Sequence, residues 1–505
     1  MDLRLGLRPI ASIRIDRFHL IIWITATLWY LLTAFNSSGY YHPDEHYQLI
    51  EFARYKLGSN QSADLAWEFN AGIRSALQPA ICFAIFNCCN AIGIEDPYLQ
   101  SFILRILTAL LSLVAIQFFV RKTITQFPIA YHKAYIVLSY FLWFLPFINV
   151  RFSSETWSGI FILLAVSFVQ DKHTKYVLAG ACMGLSFLCR FQAGVMDAGL
   201  ILWLLCIRRI QLKALSMVIT GLLLTLGIGM LLDTWMYGKF TWTAWNYFQV
   251  NILQDVASRY GTSPWYRILV YMLQAPGLPL GILILSGMGI MWIYKPRHPV
   301  LWVMTPLLLV HAFIPHKELR FLFPLVNFIP VILIWTSYQL IDRGRAFQWL
   351  YQPLLFCLVM INITGLIALT SKAAGAGRND ITTYIFHHWK QRPIVLLYEA
   401  NRNPYRPWSS LREGHYEQGG ITFHAFGDLD ELADMSRHKP GGDTLQLIIV
   451  RHRYWDNPWF TRLAGEHYAR RLQAVPEWVL WLNKYYREFK DEDVMALYEM
   501  QPDKH

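Results

Sequence analysis

Two short stretches concentrate the residue types that move protons and hold anions. From His42 to Gln48 the chain reads His-Pro-Asp-Glu-His-Tyr-Gln, with Asp44 and Glu45 adjacent between His42 and His46. A carboxylate takes a proton from a hydroxyl nucleophile when burial or a neighbouring like charge lifts its pKa from the usual ~3.9 or ~4.3. The competing plain reading is a helix start, since Pro followed by acids suits the positive end of a helix. That accounts for one acid better than for two, and not for the histidines. His and carboxylate are good metal ligands, but four neighbouring residues of a helix seldom converge on one ion, so no metal is assigned and a divalent ion stays an alternative.

The second stretch, Pro315–Phe321, reads Pro-His-Lys-Glu-Leu-Arg-Phe. Lys317 and Arg320 are three apart and share a helix face. Two cations aimed at one place suit an anion, and a guanidinium matches phosphate geometrically. The plain alternative is a snorkelling Lys and Arg pair at the end of a span. His316 and Glu318 stand beside them. Three further stretches add polar candidates: Trp67, Glu68 and Arg74 within 66–79, Arg151 and Glu155 within 151–157, and Asp233, Tyr260 and Trp265 within 233–266. The last is rich in Trp, Tyr, Asn and Gln, a mixture that suits a membrane interface and a sugar site equally.

These residues are positioned by a membrane protein. Of 505 residues, 55% are hydrophobic and 16% charged, against roughly 25% charged in soluble domains. Several apolar runs approach or exceed the ~17–25 residues needed to cross a bilayer. From Ser371 onward there are 18 basic and 18 acidic residues, so the net charge of +11 belongs entirely to the first 370. That charge decorates short loops between apolar runs, which sets topology and does not describe a nucleic-acid binder. The seven cysteines form no Cys-x-x-Cys pair, and neither a zinc ribbon nor a redox motif is indicated. No Walker loop, dinucleotide fingerprint, zincin motif or nucleophile elbow occurs, which disfavours a nucleotide-driven pump or a serine hydrolase.

Arg4, Arg8, Arg14 and Arg17 precede the first span, which reads as a retained anchor, and place the N-terminus in the cytoplasm. Basic loops at 121–133, 172–175, 208–213, 295–297 and 343–345 share that side. Eleven spans follow: 18–35, 99–119, 133–150, 155–170, 176–190, 195–207, 213–232, 272–294, 299–315, 319–339 and 347–370. The apolar stretch 75–93 is read as an interfacial or re-entrant helix inside a long external loop, 36–100, because a further span would invert every later loop. Residues 1–370 thus form a membrane module. Residues 371–505 form a small external α/β domain, with helices expected at 379–391, 429–438 and 459–472 and strands at 394–398, 445–450 and 494–498.

Taken in order, "HPDEHYQ", "WEF…IRSALQP", "DTWMYGKF…YG…PWY" and "HKELRF" resemble the motifs of glycosyltransferase family 22, the membrane mannosyltransferases of the GT-C superfamily. That family takes in enzymes of GPI-anchor synthesis. The resemblance covers roughly Gly39 to Pro330, with Leu319 and Gln78 where many members carry Glu and His. It implies a GT-C-like fold and inverting transfer of mannose from a polyprenyl-phosphate donor to a glycolipid or glycan acceptor, with no cofactor. In that reading Asp44 is the base, Glu45 raises its pKa or binds sugar, and Lys317 and Arg320 hold the leaving phosphate. His42, His46, Trp67, Glu68, Arg74, Arg151, Glu155, Asp233, Tyr260, Trp265, His316 and Glu318 bind substrate. "LIEFARYKLG" looks more like the bacterial members, which puts the active face in the periplasm; the alternative is the lumen of the endoplasmic reticulum. The alternatives in function are a GT-C enzyme using another lipid-linked sugar and a lipid or solute transporter.

Overall fold

A computed structural model describes residues 17–171, 175–343, 348–407, 411–438, 440–475, 477–478, 480–481 and 494–501. Arg4, Arg8, Arg14, Lys172 and Arg345, used above for topology, lie outside them. The chain divides into two compact units. The first holds residues up to Phe35, then Ala71–Ile81 and Ile103–Ser371; the second holds Asn36–Asn70, Cys82–Phe102 and the chain from Lys372. The unit that contains the C-terminal domain therefore also takes in most of the first long loop.

The first unit is helical. Among the described residues, five helices are long and apolar enough to cross a membrane: Arg17–Asn36, Pro97–Gln126, Leu212–Tyr237, Leu319–Leu340 and Gln352–Ser371. Shorter apolar helices include Ser154–Val169, Tyr176–Cys189, Phe191–Cys206, Leu278–Tyr294 and Pro299–Phe313. Every stretch expected to span is helical, but two are interrupted. The 272–294 stretch is two helices, Arg267–Gln274 and Leu278–Tyr294, parted at Gly277, whose φ of +87° ends the first. The 133–150 stretch breaks at an extended Leu142 before Leu145–Asn149, which opens with Pro146 in its first turn.

Close helix approach in this unit depends on missing side chains. A Cβ on Gly159 would lie 2.8 Å from the Cα of Pro324. Pro324 itself lacks an N–H and sits in the tight 3₁₀ winding Leu319–Phe328. Ser158 and Ser186 hydroxyls meet at 3.0 Å between Ser154–Val169 and Tyr176–Cys189. Three segments, 154–169, 176–189 and 319–328, are thereby locked to one another, and their ends carry Glu155, Arg190 and Arg320.

In the second unit the C-terminal chain forms a five-stranded sheet. Its strands are β1 Ile394–Glu399, β2 Ile421–Phe426, β3 Leu445–Arg451, β4 Tyr468–Gln473 and β5 Met495–Met500, in the order β2-β1-β3-β5-β4. β2, β1 and β3 run parallel and β5 and β4 antiparallel. Successive residues serve opposite faces. Leu396, Leu447 and Leu497 pack with Ile381, Ile385 and Trp389 of the helix Ala376–Trp389. Leu397, Ile448 and Ala496 pack with Leu432 and Phe460 from Leu429–Arg437 and Pro458–His467. The helix expected over 459–472 ends at His467, and 468–473 is β4, because pairing Tyr468 with Met500 outweighs local propensity. β2 was not expected; it is an edge strand with only Phe426 buried.

Candidate active site

In the first unit the motif residues build one charged cluster. Ser153 caps the helix Ser154–Val169 by accepting the Thr156 N–H, which fixes Glu155 in the first turn. Glu155 is buried, and its Oε1 accepts from Arg190 Nη1 at 2.5 Å and from Arg320 Nη1 at 2.9 Å. Arg320 also reaches Glu318 through Nε at 2.5 Å, and Glu318 meets His316 Nε2 at 2.8 Å. The Phe321 ring packs under both guanidiniums, 4.8 Å from Arg190 and 5.6 Å from Arg320.

Lys317 is held differently. Its Nζ donates to the carbonyls of Ser263 and Ile314 at 3.0 and 2.6 Å, and Ser263 N–H donates to Pro315 O at 2.9 Å. His316 Nδ1 lies 3.1 Å from Gly261 O, and the Tyr260 ring stands 6.1 Å from the His316 ring. The 260–265 and 315–321 stretches, read separately in the sequence, are therefore one zipped element. Tyr260 and Trp265 are exposed upon it.

Asp233 is buried in a structural role. Its Oδ1 accepts the Ala76 N–H at 2.6 Å and its Oδ2 the Thr243 hydroxyl at 2.5 Å. Tyr237 OH donates to Arg74 O and Asn246 Nδ2 to Gly72 O. Gly72 has a φ of +58°, and a Cβ there would meet Asn246 at 3.2 Å. These bonds moor Arg74 to the cluster's unit. The amides of the 233–266 stretch thus point to backbone, whereas Phe240, Trp242, Trp245 and Phe248 are exposed, as in an aromatic belt. Arg151 is buried with its guanidinium 5.5 Å from the Phe147 ring.

In the second unit, Pro43–Tyr47 is a short helix capped by His42, whose Nδ1 accepts the Asp44 N–H at 3.3 Å. Helix start and acidic pair are therefore the same object. Asp44 keeps a side chain 20% exposed, 3.5 Å from His42 Nδ1. Glu45 is buried, and its Oε2 accepts the Tyr41 N–H at 3.3 Å. His46 is fully buried between the rings of Tyr40 and Tyr416, and its Nε2 meets Glu51 Oε1 at 2.9 Å. Glu51 also accepts from Asn60 Nδ2 and His415 N–H. Burial raises its pKa, but the His46 bond, the His46 and Arg54 charges and the His415 N–H outweigh that and hold it at about 2. Glu68 is buried against Gln48 Nε2 at 2.9 Å, and Trp67 is exposed.

Arg190, Phe321 and Glu51 were not selected from the sequence. Arg190 carried the signal that singled out Lys317, a cation at the outer end of an apolar run. Phe321 and Glu51 carried none, because a lone Phe or Glu in a mixed stretch looks ordinary.

The profile of the Alg9-like mannosyltransferase family matches residues 20–388. The chain is similar to GPI mannosyltransferase 3 of Yarrowia lipolytica, 27% identical over 386 residues, 74% of this chain and 72% of that protein. It is similar to GPI alpha-1,2-mannosyltransferase 3 of Xenopus laevis, 25% identical, over 60% of this chain and 56% of that one. It thus spans little more than half the length of the Xenopus relative. Among solved structures it is similar in fold to ArnT from Cupriavidus metallidurans bound to undecaprenyl phosphate, with a TM-score of 0.53 and 10% identity over 95% of this chain and 97% of that one.

Proposed function

Because the chain belongs to the Alg9-like mannosyltransferase family, and so is a glycosyltransferase of the GT-C fold, we propose that it moves mannose from a polyprenyl-phosphate donor to a hydroxyl of a glycolipid or glycan acceptor. The anomeric carbon inverts. The acceptor oxygen bonds to it while the bond to the phosphate oxygen breaks, and the acceptor's proton passes to Asp44. The leaving lipid phosphate gains a negative charge, which Arg320, Arg190 and Lys317 neutralise. The chemistry takes place on the non-cytoplasmic face, the periplasm in a bacterial cell.

One observation supports the lipid-phosphate donor above the others. Two guanidiniums share a single oxygen of Glu155, and the nearby Lys317 ammonium is held by carbonyls. Cations exceed carboxylates there, at the ends of apolar helices, where a buried lipid tail would present its phosphate. The fold neighbour's ligand, undecaprenyl phosphate, is chemically the product of such a donor.

The test is turnover with a polyprenyl-phosphate mannose and with a nucleotide-linked mannose, for the wild type, Arg320→Ala and Arg320→Lys. The lipid donor alone should work. Losing a charged hydrogen bond to phosphate costs about 1.5–3 kcal/mol, so Arg320→Ala should lose roughly ten- to hundredfold in kcat/KM. Lysine should recover part of that, because it offers a point charge in place of a fork. Use of the nucleotide donor, or full activity of Arg320→Ala, overturns the reading.

A further inference from the structure

A cavity of about 220 Å³ lies within the second unit, lined by none of the residues selected from the sequence. It sits where the end of the helix Ile50–Lys56, the helices Leu77–Ala91 and Ala376–Trp389, and the segment 414–418 meet. We propose that this cavity holds one sugar residue of the acceptor glycan, an assignment that rests on the mannosyltransferase reading.

The lining chemistry selects the ligand. Phe86 stacks on His415 at 4.9 Å and 13°, and Tyr416 meets His415 edge-on at 5.0 Å, so the rings offer edges to the C–H groups of a ligand while their faces pack on one another. Arg54 brings a buried Nη1 without a hydrogen-bond partner, 3.7 Å from Glu51 Oε2. Gln418 Nε2 donates to Trp389 O at 3.2 Å, while its Oε1 is buried and unpartnered. An unpartnered donor and an unpartnered acceptor on one wall suit hydroxyl groups, which both give and accept.

Charge argues against an anion. Glu95 and Glu417 line the cavity already paired, the first with Lys390 and the second with Arg406 and Arg412, and Arg54 itself faces Glu51. His415 adds no positive charge: burial, then the charges of Arg54 and His46, hold its pKa at about 3. A phosphate would meet cations that each already face a carboxylate here. A purely apolar ligand would leave Arg54 and Gln418 unpaired. A neutral hydroxylated ring satisfies both.

The acceptor, not the donor, is assigned because the donor carries a phosphate and every cation at this cavity already faces a carboxylate. Asp44, the base for the acceptor hydroxyl, stands ten residues before Arg54 in the chain. His46 and Arg54 both meet Glu51, so the element bearing Asp44 and the cavity wall are held by one carboxylate.

The experiment uses full-length protein in nanodiscs. Saturation-transfer NMR follows methyl α-mannoside with wild type, Ser59→Trp, which fills the cavity mouth, and Gln418→Ala; inorganic phosphate is the competitor. Release of mannose from a polyprenyl-phosphate mannose is measured in parallel. The glycoside should bind saturably, lose at least fivefold in affinity in both variants, and withstand phosphate. Glycoside binding that is absent, insensitive to both substitutions, or displaced by phosphate overturns the cavity assignment. Absence of mannose release from the wild type overturns the donor reading instead, and the two failures are separately visible.

Discussion

Asp44 and Glu45 share a five-residue helix but not an environment. Asp44 is the partly exposed one, whereas Glu45 is buried and tied to the Tyr41 N–H. Exposure is what a group needs to reach an incoming hydroxyl, which is why Asp44 is the base we propose. Asp44→Asn keeps shape and capping and loses the base, and turnover should fall by about 10²–10⁴-fold with the thermal unfolding midpoint unchanged. An active Asn variant alongside an inactive Glu45→Gln would transfer the role to Glu45. At this scale the sequence was informative wherever charge stood out against apolar surroundings, as with Asp44, Lys317 and Arg320. It was silent on partners: nothing in Glu155 or Arg190 alone says that one carboxylate oxygen serves two arginines.

Among the elements, the helix Ile50–Lys56 shows how burial turns polar residues into fasteners. Glu51 fastens it to His46, Asn60 and the His415 backbone, and His415 Nε2 lies 3.0 Å from Pro97 O and 3.1 Å from Ser101 Oγ. Both titratable groups act in the same direction. Glu51, depressed to about 2, contributes stability that is present above its ordinary 4.5 and lost as pH falls through about 2. His415, depressed to about 3, stays neutral in the fold while the unfolded chain takes up a proton below 6.5, so stability also falls with pH. The unfolding midpoint of the full-length protein should therefore drop between pH 6.5 and 4.5, and His415→Gln should flatten that slope. An equal slope in the variant would remove His415 from the account. The motif histidine His46 belongs to this fastening, which periodicity could not reveal, since its partner Glu51 lies across a helix boundary.

For the molecule as a whole, the second unit constrains the path through the membrane. Glu51, Pro97, Ser101 and His415 meet through hydrogen bonds, so their segments share one side. The chain from 51 to 97 then crosses the membrane an even number of times, and we propose that Leu77–Ala91, the one longer apolar helix described between them, does not cross. The same argument gives the chain from 101 to 415 an even number of crossings, and we propose eleven spans in total with a non-cytoplasmic C-terminal domain. In a background without native cysteines, Asn60→Cys and Gly419→Cys should both react with an impermeant maleimide from outside, and Leu212→Cys only after lysis. Opposite labelling of the first two would end the eleven-span reading.

Composition and the order of four motifs were enough to establish a helical membrane enzyme of this family, because apolar run length and charge placement are imposed by the bilayer itself. The alternation of β1, β3 and β5 was legible for the same kind of reason: strands buried on both faces must be apolar throughout. The break at Gly277, the strand at 468–473 and the exposed edge strand β2 depend on what each segment packs against, and local pattern does not encode that. Tertiary structure alone decided that Asp233 moors backbone, that the 260–265 and 315–321 stretches are one element, and that Glu155 gathers Arg190 and Arg320. Each of these joins residues far apart in sequence, and the last depends on Gly159, where a Cβ would lie 2.8 Å from the Cα of Pro324 and hold the helices apart.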